Sequence, residues 1–226
     1  MSTSRGRSAA VCILVAILLT SAGCKGLMGP TSPSGKTALF NGVDLENWKL
    51  YVADPEVDVN RVWWVKQGVV HCEGKPNGYM RTKTKYKDYK LHLEWRWTAT
   101  PTNSGVLLHA SGPDQVWPRC IEAQLKAGNA GDFVLINGTG ITVAGEDKQN
   151  PDKQFVVVQK KHSSSEKAPG QWNAYDIVCK DGHIKVLVNG VLQNEGADAT
   201  DTSGWICLQS EGSPIEFRNI YLEPME

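Results

Sequence analysis

Apolar and polar side chains alternate strictly along residues 91–97, LHLEWRW, and this pattern limits the fold more than any other feature of the chain. A period of two indicates a β-strand with one face on a core, because successive side chains of a strand point to opposite faces. Short runs rich in Val, Ile, Tyr and Trp recur after residue 37 between clusters of Gly, Asn, Asp and Pro, without long stretches of helical spacing. The pattern therefore predicts an all-β protein.

Thirteen short strands are predicted from these runs. They cover residues 62–65, 68–72, 78–82, 88–97, 104–110, 119–126, 133–136, 155–159, 172–179, 183–188, 191–193, 204–209 and 215–223. Asp181-Gly182 and Asn189-Gly190 predict tight hairpin turns, because glycine accepts the positive φ that such turns need. Sequential hairpins without crossover helices favour a jelly-roll sandwich of two antiparallel sheets. The less regular segment 128–169 is predicted to form long loops.

The first 23 residues have the features of an export signal. Two arginines give a positive start, and the apolar run over residues 9–20 is too short to span a bilayer comfortably. The run ends at the sequence SAGC, residues 21–24, which resembles a bacterial lipobox and predicts lipid attachment at Cys24. Because Ser21 stands where a lipobox usually has Leu, cleavage by an ordinary signal peptidase and an uncleaved anchor stay open as alternatives.

These features divide the chain into a signal peptide (1–23), a lipid-anchored flexible tether (24–36) and one domain (37–226). The tether is rich in Gly, Pro, Ser and Thr, a composition typical of flexible linkers. Lys25 follows the cysteine where Asp would indicate retention in the inner membrane. The sequence therefore predicts a cell-envelope lipoprotein, in the outer membrane or periplasm, with the membrane as partner through its lipid.

Charge and cysteine usage exclude two classes of function. Without residues 1–23 the chain has 22 basic and 24 acidic residues and no basic cluster with interleaved aromatics, so no nucleic-acid partner is expected. Four cysteines remain after Cys24, and they could pair in an oxidising compartment or be buried thiols, which the apolar runs around two of them favour. They are Cys72, Cys120, Cys179 and Cys207. No CxxC motif occurs, so no zinc site is predicted.

Three predicted strands carry polar side chains on the face opposite to their apolar residues. The residues on these outward faces are His92, Glu94 and Arg96; Asn103, Gly105, Leu107 and His109; and Glu122, Gln124 and Lys126. If these strands are neighbours in one sheet, a single patch, called here the predicted polar patch, holds Glu94, Arg96, His109, Glu122 and Gln124. The alternative is an ordinary wet face, which antiparallel sheets commonly have.

The composition of the predicted polar patch suits sugar hydroxyls, because carboxylates, amides and guanidinium groups bind them in pairs. Trp117 or Trp172 could stack on a pyranose ring, whereas Trp95, Trp97, Trp48 and Trp205 are assigned to the core. Conventional glycoside hydrolysis needs two carboxyl groups that flank the bond. In lectin-like sandwiches they commonly alternate on one strand, and here Gln124 follows Glu122, so that mechanism is disfavoured.

Six motifs resemble one bacterial family, the 3-keto-disaccharide hydrolase domain. In chain order they are LFNGVDLENW (39–48), NSGV (103–106), EAQ (122–124), GQWN (170–173), VNG (188–190) and EFRNI (216–220). The resemblance extends from about Leu39 to Leu222. It implies a concanavalin A-like jelly roll that acts on glycosides oxidised to a ketone at sugar carbon 3, as a lyase, hydratase or net hydrolase.

The implied chemistry is an elimination followed by addition of water. The ketone acidifies the hydrogen on carbon 2, a base removes it while an acid protonates the group that departs from carbon 1, and water then adds back. The acid and base candidates are Glu94, His109 and Glu122. The candidates for binding the substrate are Arg96, Asn103, Gln124, Trp172, Asn173 and Arg218.

The resemblance also implies partners. A sugar 3-oxidoreductase would supply the ketone, and the carbohydrate is the substrate. No cofactor is firmly implied; loop Asp, Glu and Asn could hold calcium, although no loop has EF-hand spacing. The competing interpretation is a non-catalytic carbohydrate-binding module at the cell surface, because lectin-like sandwiches serve both roles.

Overall fold

The computed structural model describes residues 35–223 together with residues 1 and 225. The predicted signal peptide beyond residue 1, the lipid-attachment residue Cys24 and the tether up to residue 34 lie outside the described residues. Within the described part, no helix has the length and apolar character needed to cross a membrane.

Residues 35–223 form two large antiparallel sheets, with one 3-10 turn at Val59–Arg61 among them. The strands of the first sheet are β1 (Thr37–Ala38), β3 (Trp63–Lys66), β4 (Val69–Cys72), β6 (Tyr89–Trp97), β13 (Asn173–Lys180), β14 (His183–Val188), β15 (Val191–Gly196) and β17 (Ile215–Glu223). Their order is β15-β14-β13-β6-β17-β4-β3, and β1 pairs with β17.

The second sheet has seven strands in the order β12-β9-β8-β7-β16-β5-β2. They are β2 (Trp48–Val52), β5 (Gly78–Thr82), β7 (Gly105–Ser111), β8 (Arg119–Gln124), β9 (Phe133–Ile136), β12 (Phe155–Val158) and β16 (Trp205–Ser210). A separate two-stranded ribbon joins β10 (Thr142–Val143) to β11 (Glu146–Asp147).

The core fills the space between the two sheets, as alternation requires. In β6 every second residue from Tyr89 to Trp97 is buried, and Trp95 is fully inaccessible. The inward residues of both sheets form one continuous cluster, in which Trp63 stacks on Phe217 with ring centroids 6.5 Å apart. Aromatic and aliphatic side chains of this size supply most of the favourable free energy of folding.

The predicted fold is confirmed: an all-β jelly roll of two antiparallel sheets. Each of the thirteen predicted strands has a counterpart, and both predicted hairpin turns join paired strands through two residues with positive φ. Four observed strands were not predicted: β1, β2, β10 and β11. Three of these have only two residues, too few for a pattern to be recognised, whereas β2 was missed although its residues, WKLYV, are typical of a strand.

The four cysteines after Cys24 are free, buried thiols in the described structure. Cys72 and Cys179 lie in the main core, whereas Cys120 and Cys207 lie in a smaller apolar cluster on the other side of the second sheet. Burial raises the pKa of the Cys72 and Cys179 thiols to about 12, so both are uncharged at neutral pH.

Candidate functional site

The face of the second sheet that points away from the core, called here the outer face, is buried to an unusual degree. Leu107 on β7, Val134 on β9 and Cys207 on β16 point to it, and each is at most 5 % exposed. In an antiparallel sandwich, the residues that point away from the core are normally exposed to solvent. In β7 the first six residues are all buried, so this strand is covered on both sides. The outer face is therefore largely covered and is not an ordinary solvent-exposed face.

Glu122 lies near the centre of the outer face, and its carboxyl group occupies the space that the missing side chain of Gly105 leaves. The residue pairs with Leu107 across β7 and β8, and Gly105 pairs with Gln124. A Cβ atom placed on Gly105 would overlap the Glu122 carboxyl, with only 2.6 Å to its Cδ atom. The glycine thus leaves room for the Glu122 carboxyl group against β7.

Several polar atoms at this position have no hydrogen-bond partner among the residues that the structure describes. They are Oε1 of Glu122, both amide atoms of Gln209 and Oδ1 of Asn103. Ser104 lies between Asn103 and Gly105, and its hydroxyl donates to the carbonyl of Gln209 at 2.8 Å, which places the unpaired amide atoms beside the glycine. Buried polar groups are nearly always paired in folded proteins, so this group of atoms indicates a site for a polar ligand.

Burial is the main cause of an altered acidity at Glu122. It raises the pKa of this carboxyl well above the usual range, and the charge of Glu211 raises it further. A carboxylic acid that stays neutral at pH 7 can donate a proton to a reacting group. The raised pKa favours the protonated form of Glu122, which is the form that an acid catalyst needs.

Aromatic and cationic side chains flank this surface. The Arg81 guanidinium lies 3.9 Å from the Trp205 ring centroid, and the Arg81 Nε donates to Asp114 at 3.1 Å. The Tyr79 hydroxyl donates to the same carboxylate at 2.9 Å. Trp205 packs on the outer-face cluster and stays partly exposed, so its assignment to the core was wrong. Such rings offer apolar faces on which a pyranose can stack.

Trp117, one of the two tryptophans proposed for stacking, also packs on the outer-face cluster and meets Phe155 edge to face. Trp172, the other one, lies at the first sheet, with the guanidinium groups of Arg96 and Arg218 at 4.6 and 4.1 Å from its ring centroid. The two candidates are therefore on different faces of the sandwich.

The predicted polar patch does not exist as one surface. Glu94 and Arg96 belong to β6, which pairs with β13 and β17 in the first sheet, whereas Glu122 and Gln124 belong to β8 in the second. The assumption that three strands close in sequence are neighbours was wrong, because the chain crosses to the other sheet between β6 and β7.

The charged candidates of the first sheet are paired with one another and with neighbouring side chains. Arg218 binds Glu94 at 2.6 Å, and the Asn219 amide donates to the same carboxylate at 2.8 Å. Arg96 binds Glu216 at 2.5 Å. Burial raises the pKa of Glu94, but the bonds from Asn219 and Arg218 outweigh it and lower the pKa overall. Glu94 is thus an ionised structural partner.

Replacing Glu94 by Gln is expected to leave turnover unchanged and to reduce stability by about 1 kcal/mol, since a partly exposed ion pair is lost. Because the pKa of Glu94 is lowered in the folded protein, the ionised side chain stabilises the fold at neutral pH, and this stabilisation is lost on acidification. Urea unfolding at pH 7 and pH 4 measures the stability of both proteins. A stability difference between Glu94→Gln and wild type that is larger at pH 4 than at pH 7 would contradict this prediction.

His109 faces the core and not the outer face. A bulge interrupts the pairing of β7 between Leu108 and Ser111, and His109 has a φ of 52°, which turns its side chain inward. Its ring packs edge to face on Tyr89 at 5.3 Å, and its two nitrogens contact the carbonyl oxygens of Lys87 and Asp201. The prediction that His109 shares a face with Leu107 was wrong, because a bulge adds a residue and shifts the alternation.

Gln124 and Asn173 also have their side-chain groups engaged. The Gln124 Oε1 accepts from the backbone N–H groups of Leu125 and Lys126, both at 3.0 Å. The Asn173 Oδ1 accepts from the Lys167 N–H and from the Asn189 side chain, both at 2.8 Å. Gln124 thus ends β8 on the outer face, and Asn173 fixes loops at the edge of the first sheet.

Gln209 and Glu211 lie at the outer face and were not among the predicted site residues. The same alternation could have found them, because Trp205, Cys207, Gln209 and Glu211 occupy every second position of one strand and its end. The apolar run ICL at 206–208 concealed the pattern. For the calcium that the sequence left open, the described residues contain no group of three or more His, Cys, Asp or Glu that could hold a metal ion.

The fold and the family comparison together define a carbohydrate-acting protein of the jelly-roll class. The chain belongs to the 3-keto-alpha-glucoside-1,2-lyase-like domain family, whose model matches residues 35–223. The resemblance found in the six sequence motifs is therefore confirmed. A comparison with curated proteins gave no match.

Solved structures share the fold at low sequence identity. A Parabacteroides distasonis protein provisionally assigned as a glycosyl hydrolase is 23% identical, with a TM-score of 0.61 and coverage of 85% of this chain and 95% of its own. Bacillus licheniformis beta-glucanase is 12% identical, with a TM-score of 0.53 and coverage of 82% and 96%. The carbohydrate binding module CBM66 of Bacillus subtilis is 7% identical, with a TM-score of 0.52 and coverage of 77% and 93%.

Proposed function

We propose that this protein cleaves glycosides that carry a ketone at carbon 3 of the sugar, by elimination across carbons 1 and 2 and subsequent addition of water. The observation that carries the proposal is the buried Glu122 carboxyl, which has an unpaired oxygen beside the unpaired amide atoms of Gln209 and Asn103. Membership of the lyase-like family supports the same chemistry.

The outer face offers an acid and hydrogen-bond donors for the elimination. A neutral carboxylic acid can protonate the departing oxygen, and side-chain amides can donate to the enolate that develops on the oxygen at carbon 3. Trp205 and Trp117 offer rings for the sugar faces. A ketone at carbon 3 makes this route possible without an oxocarbenium ion, so the protein needs no second carboxylate in line with the glycosidic bond.

The test is incubation of the purified domain with a 3-keto disaccharide and, in parallel, with the unoxidised disaccharide. Release of the second sugar from the keto substrate alone, with a transient absorbance from the conjugated enone, is the expected result. Cleavage of the unoxidised disaccharide at a similar rate would contradict the proposal, because conventional hydrolysis needs no ketone.

A non-catalytic carbohydrate-binding module is the second candidate, and the shared fold with CBM66 is the observation that favours it. Calorimetric binding of an unoxidised glycan, with no turnover of any 3-keto glycoside, would support this candidate. The buried Glu122 carboxyl, with its unpaired Oε1, favours catalysis, since a binding site for neutral sugars has no need of a buried acid.

We further propose that the protein acts at the cell envelope, anchored by a lipid on Cys24 and supplied with substrate by a sugar 3-oxidoreductase. Replacing Cys24 by Ser is expected to move the protein from the membrane fraction to the soluble fraction of the producing cell, because the acyl chains provide the anchor. Fractionation and intact-mass measurement of the mature N-terminus check this. An unchanged membrane fraction would indicate an uncleaved peptide anchor.

A further inference from the structure

Glu211 is a second carboxyl group on the outer face, directly after the end of β16. It forms a β-bridge with Asn103, two residues before the Gly105 over which the Glu122 carboxyl lies. The chain direction places Gln209, with its unpaired amide, two residues before Glu211 on the same side of the strand. Two acidic groups and a free amide therefore surround one short stretch of β7.

The surroundings of the two carboxyl groups differ. The Glu122 Oε1 is buried with no donor among the described residues, and an ionised oxygen in that position would lack stabilisation. The side chains of Asn103 and Trp117 hydrogen-bond with Glu211, and Lys126 lies close enough to interact with its charge. Burial raises the pKa of both groups, whereas only Glu211 has donors and a cation that oppose this. Glu122 is therefore suited to hold a proton, and Glu211 is suited to hold a negative charge.

We propose that Glu122 and Glu211 form a proton-transfer pair, in which neutral Glu122 protonates the departing oxygen at carbon 1 and ionised Glu211 removes the hydrogen from carbon 2. This assignment rests on the proposed function. The electron pair of the C2–H bond forms the C1–C2 double bond as the C1–O bond breaks. Glu211 ends protonated and Glu122 ends ionised, while the Gln209 amide donates to the oxygen at carbon 3.

The addition of water returns both groups to their starting states. Glu122, now a carboxylate, takes a proton from water as the water oxygen bonds to carbon 1, and Glu211 returns its proton to carbon 2. The net reaction consumes one water and leaves the enzyme unchanged. Two carboxyl groups whose surroundings separate their acidities are the usual basis of such a division of roles.

A 3-keto sugar that has no leaving group on carbon 1 tests the base separately from the acid, because only the removal of the hydrogen from carbon 2 can occur. In D₂O the wild-type protein is expected to exchange the hydrogen on carbon 2 of 1,5-anhydro-3-ketoglucitol, followed by NMR against an enzyme-free control. Glu211→Gln is expected to lose this exchange by about 10²-fold or more, and Glu122→Gln is expected to retain it within a few-fold. Glu195→Gln, on β15 of the first sheet, serves as the matched control and should match wild type.

A comparison of substrates with different leaving groups tests the acid separately from the base. Glu122→Gln is expected to lose about 10²-fold or more on a 3-keto disaccharide but less than about 10-fold on 4-nitrophenyl 3-ketoglucoside, whose phenolate departs without a proton. Loss of carbon 2 exchange in Glu122→Gln with retention in Glu211→Gln would overturn the assignment, as would full activity in both variants. Wild-type protein inert towards every 3-keto glycoside would instead refute the proposed function.

A second variant keeps the base assignment testable if Glu211→Gln does not fold. Trp117→Phe removes one hydrogen-bond donor from Glu211 and keeps an aromatic ring against Phe155. The acidic limb of the kcat/KM profile is then expected to move to higher pH, because the ionised form of Glu211 is less stabilised. An unshifted acidic limb would contradict the role of Glu211 as the base.

Discussion

Replacement of Glu122 by Gln is expected to reduce the turnover of a 3-keto disaccharide by about 10²–10⁴-fold, the range in which a single acid or base catalyst contributes. The reason is specific to this position: Glu122 is 3 % exposed, and its Oε1 has no partner among the described residues. Gln keeps the shape of the side chain and removes the transferable proton. Steady-state kinetics with a 3-keto disaccharide measures the effect.

The same variant is expected to be more stable than wild type at neutral pH. The pKa of Glu122 is raised in the folded protein, so its contribution is fully present below the unfolded pKa of about 4.3 and is lost as the pH rises. Gln carries no charge at any pH, and the stability difference should grow steadily from about pH 4 upwards. Equal stability of the two proteins from pH 4 to pH 8 would show that the carboxyl is not desolvated.

The second large effect is expected from Gly105→Ala. The added Cβ would overlap the Glu122 carboxyl, and the carboxyl is the part that must move, because β7 is fixed by pairing on both sides. Displacement by about 1 Å can lower a rate by about 10²-fold. We expect a comparable fall in kcat, with a loss of stability of about 1–3 kcal/mol from overpacking.

A double variant separates this steric effect from a general disturbance of the sheet. Gly105→Ala combined with Glu122→Ala removes the overlapping carboxyl, so the melting temperature should recover towards that of Glu122→Ala alone. Independent, additive losses of stability in the double variant would mean that Gly105 does not act through Glu122. In the Glu122→Gln background, Gly105→Ala should cause little further loss of activity, since the proton donor is already absent.

The alternation of side chains along the chain determines by itself where most strands lie and which face of each strand is buried. The alternation in residues 91–97 shows which side chains face the core without knowledge of the neighbouring strands. The Asp-Gly and Asn-Gly pairs define two hairpins through their positive φ. Alternation also placed Glu122 and Gln124 on one side of β8 and Gly105 on the matching side of β7. These are local properties of a strand, and the sequence contains them in full.

Sheet membership was decided only by the tertiary structure. Alternation states which residues share a face of one strand, but not which strands are neighbours, so Glu94 was grouped with Glu122 although the two lie on different sheets. His109 was misplaced for a related reason, because a bulge of one residue reverses the direction of the next side chain. Long-range pairing brought Glu211 from the end of β16 to Asn103. Pairing over such separations depends on the whole core and leaves no trace in a short window of sequence.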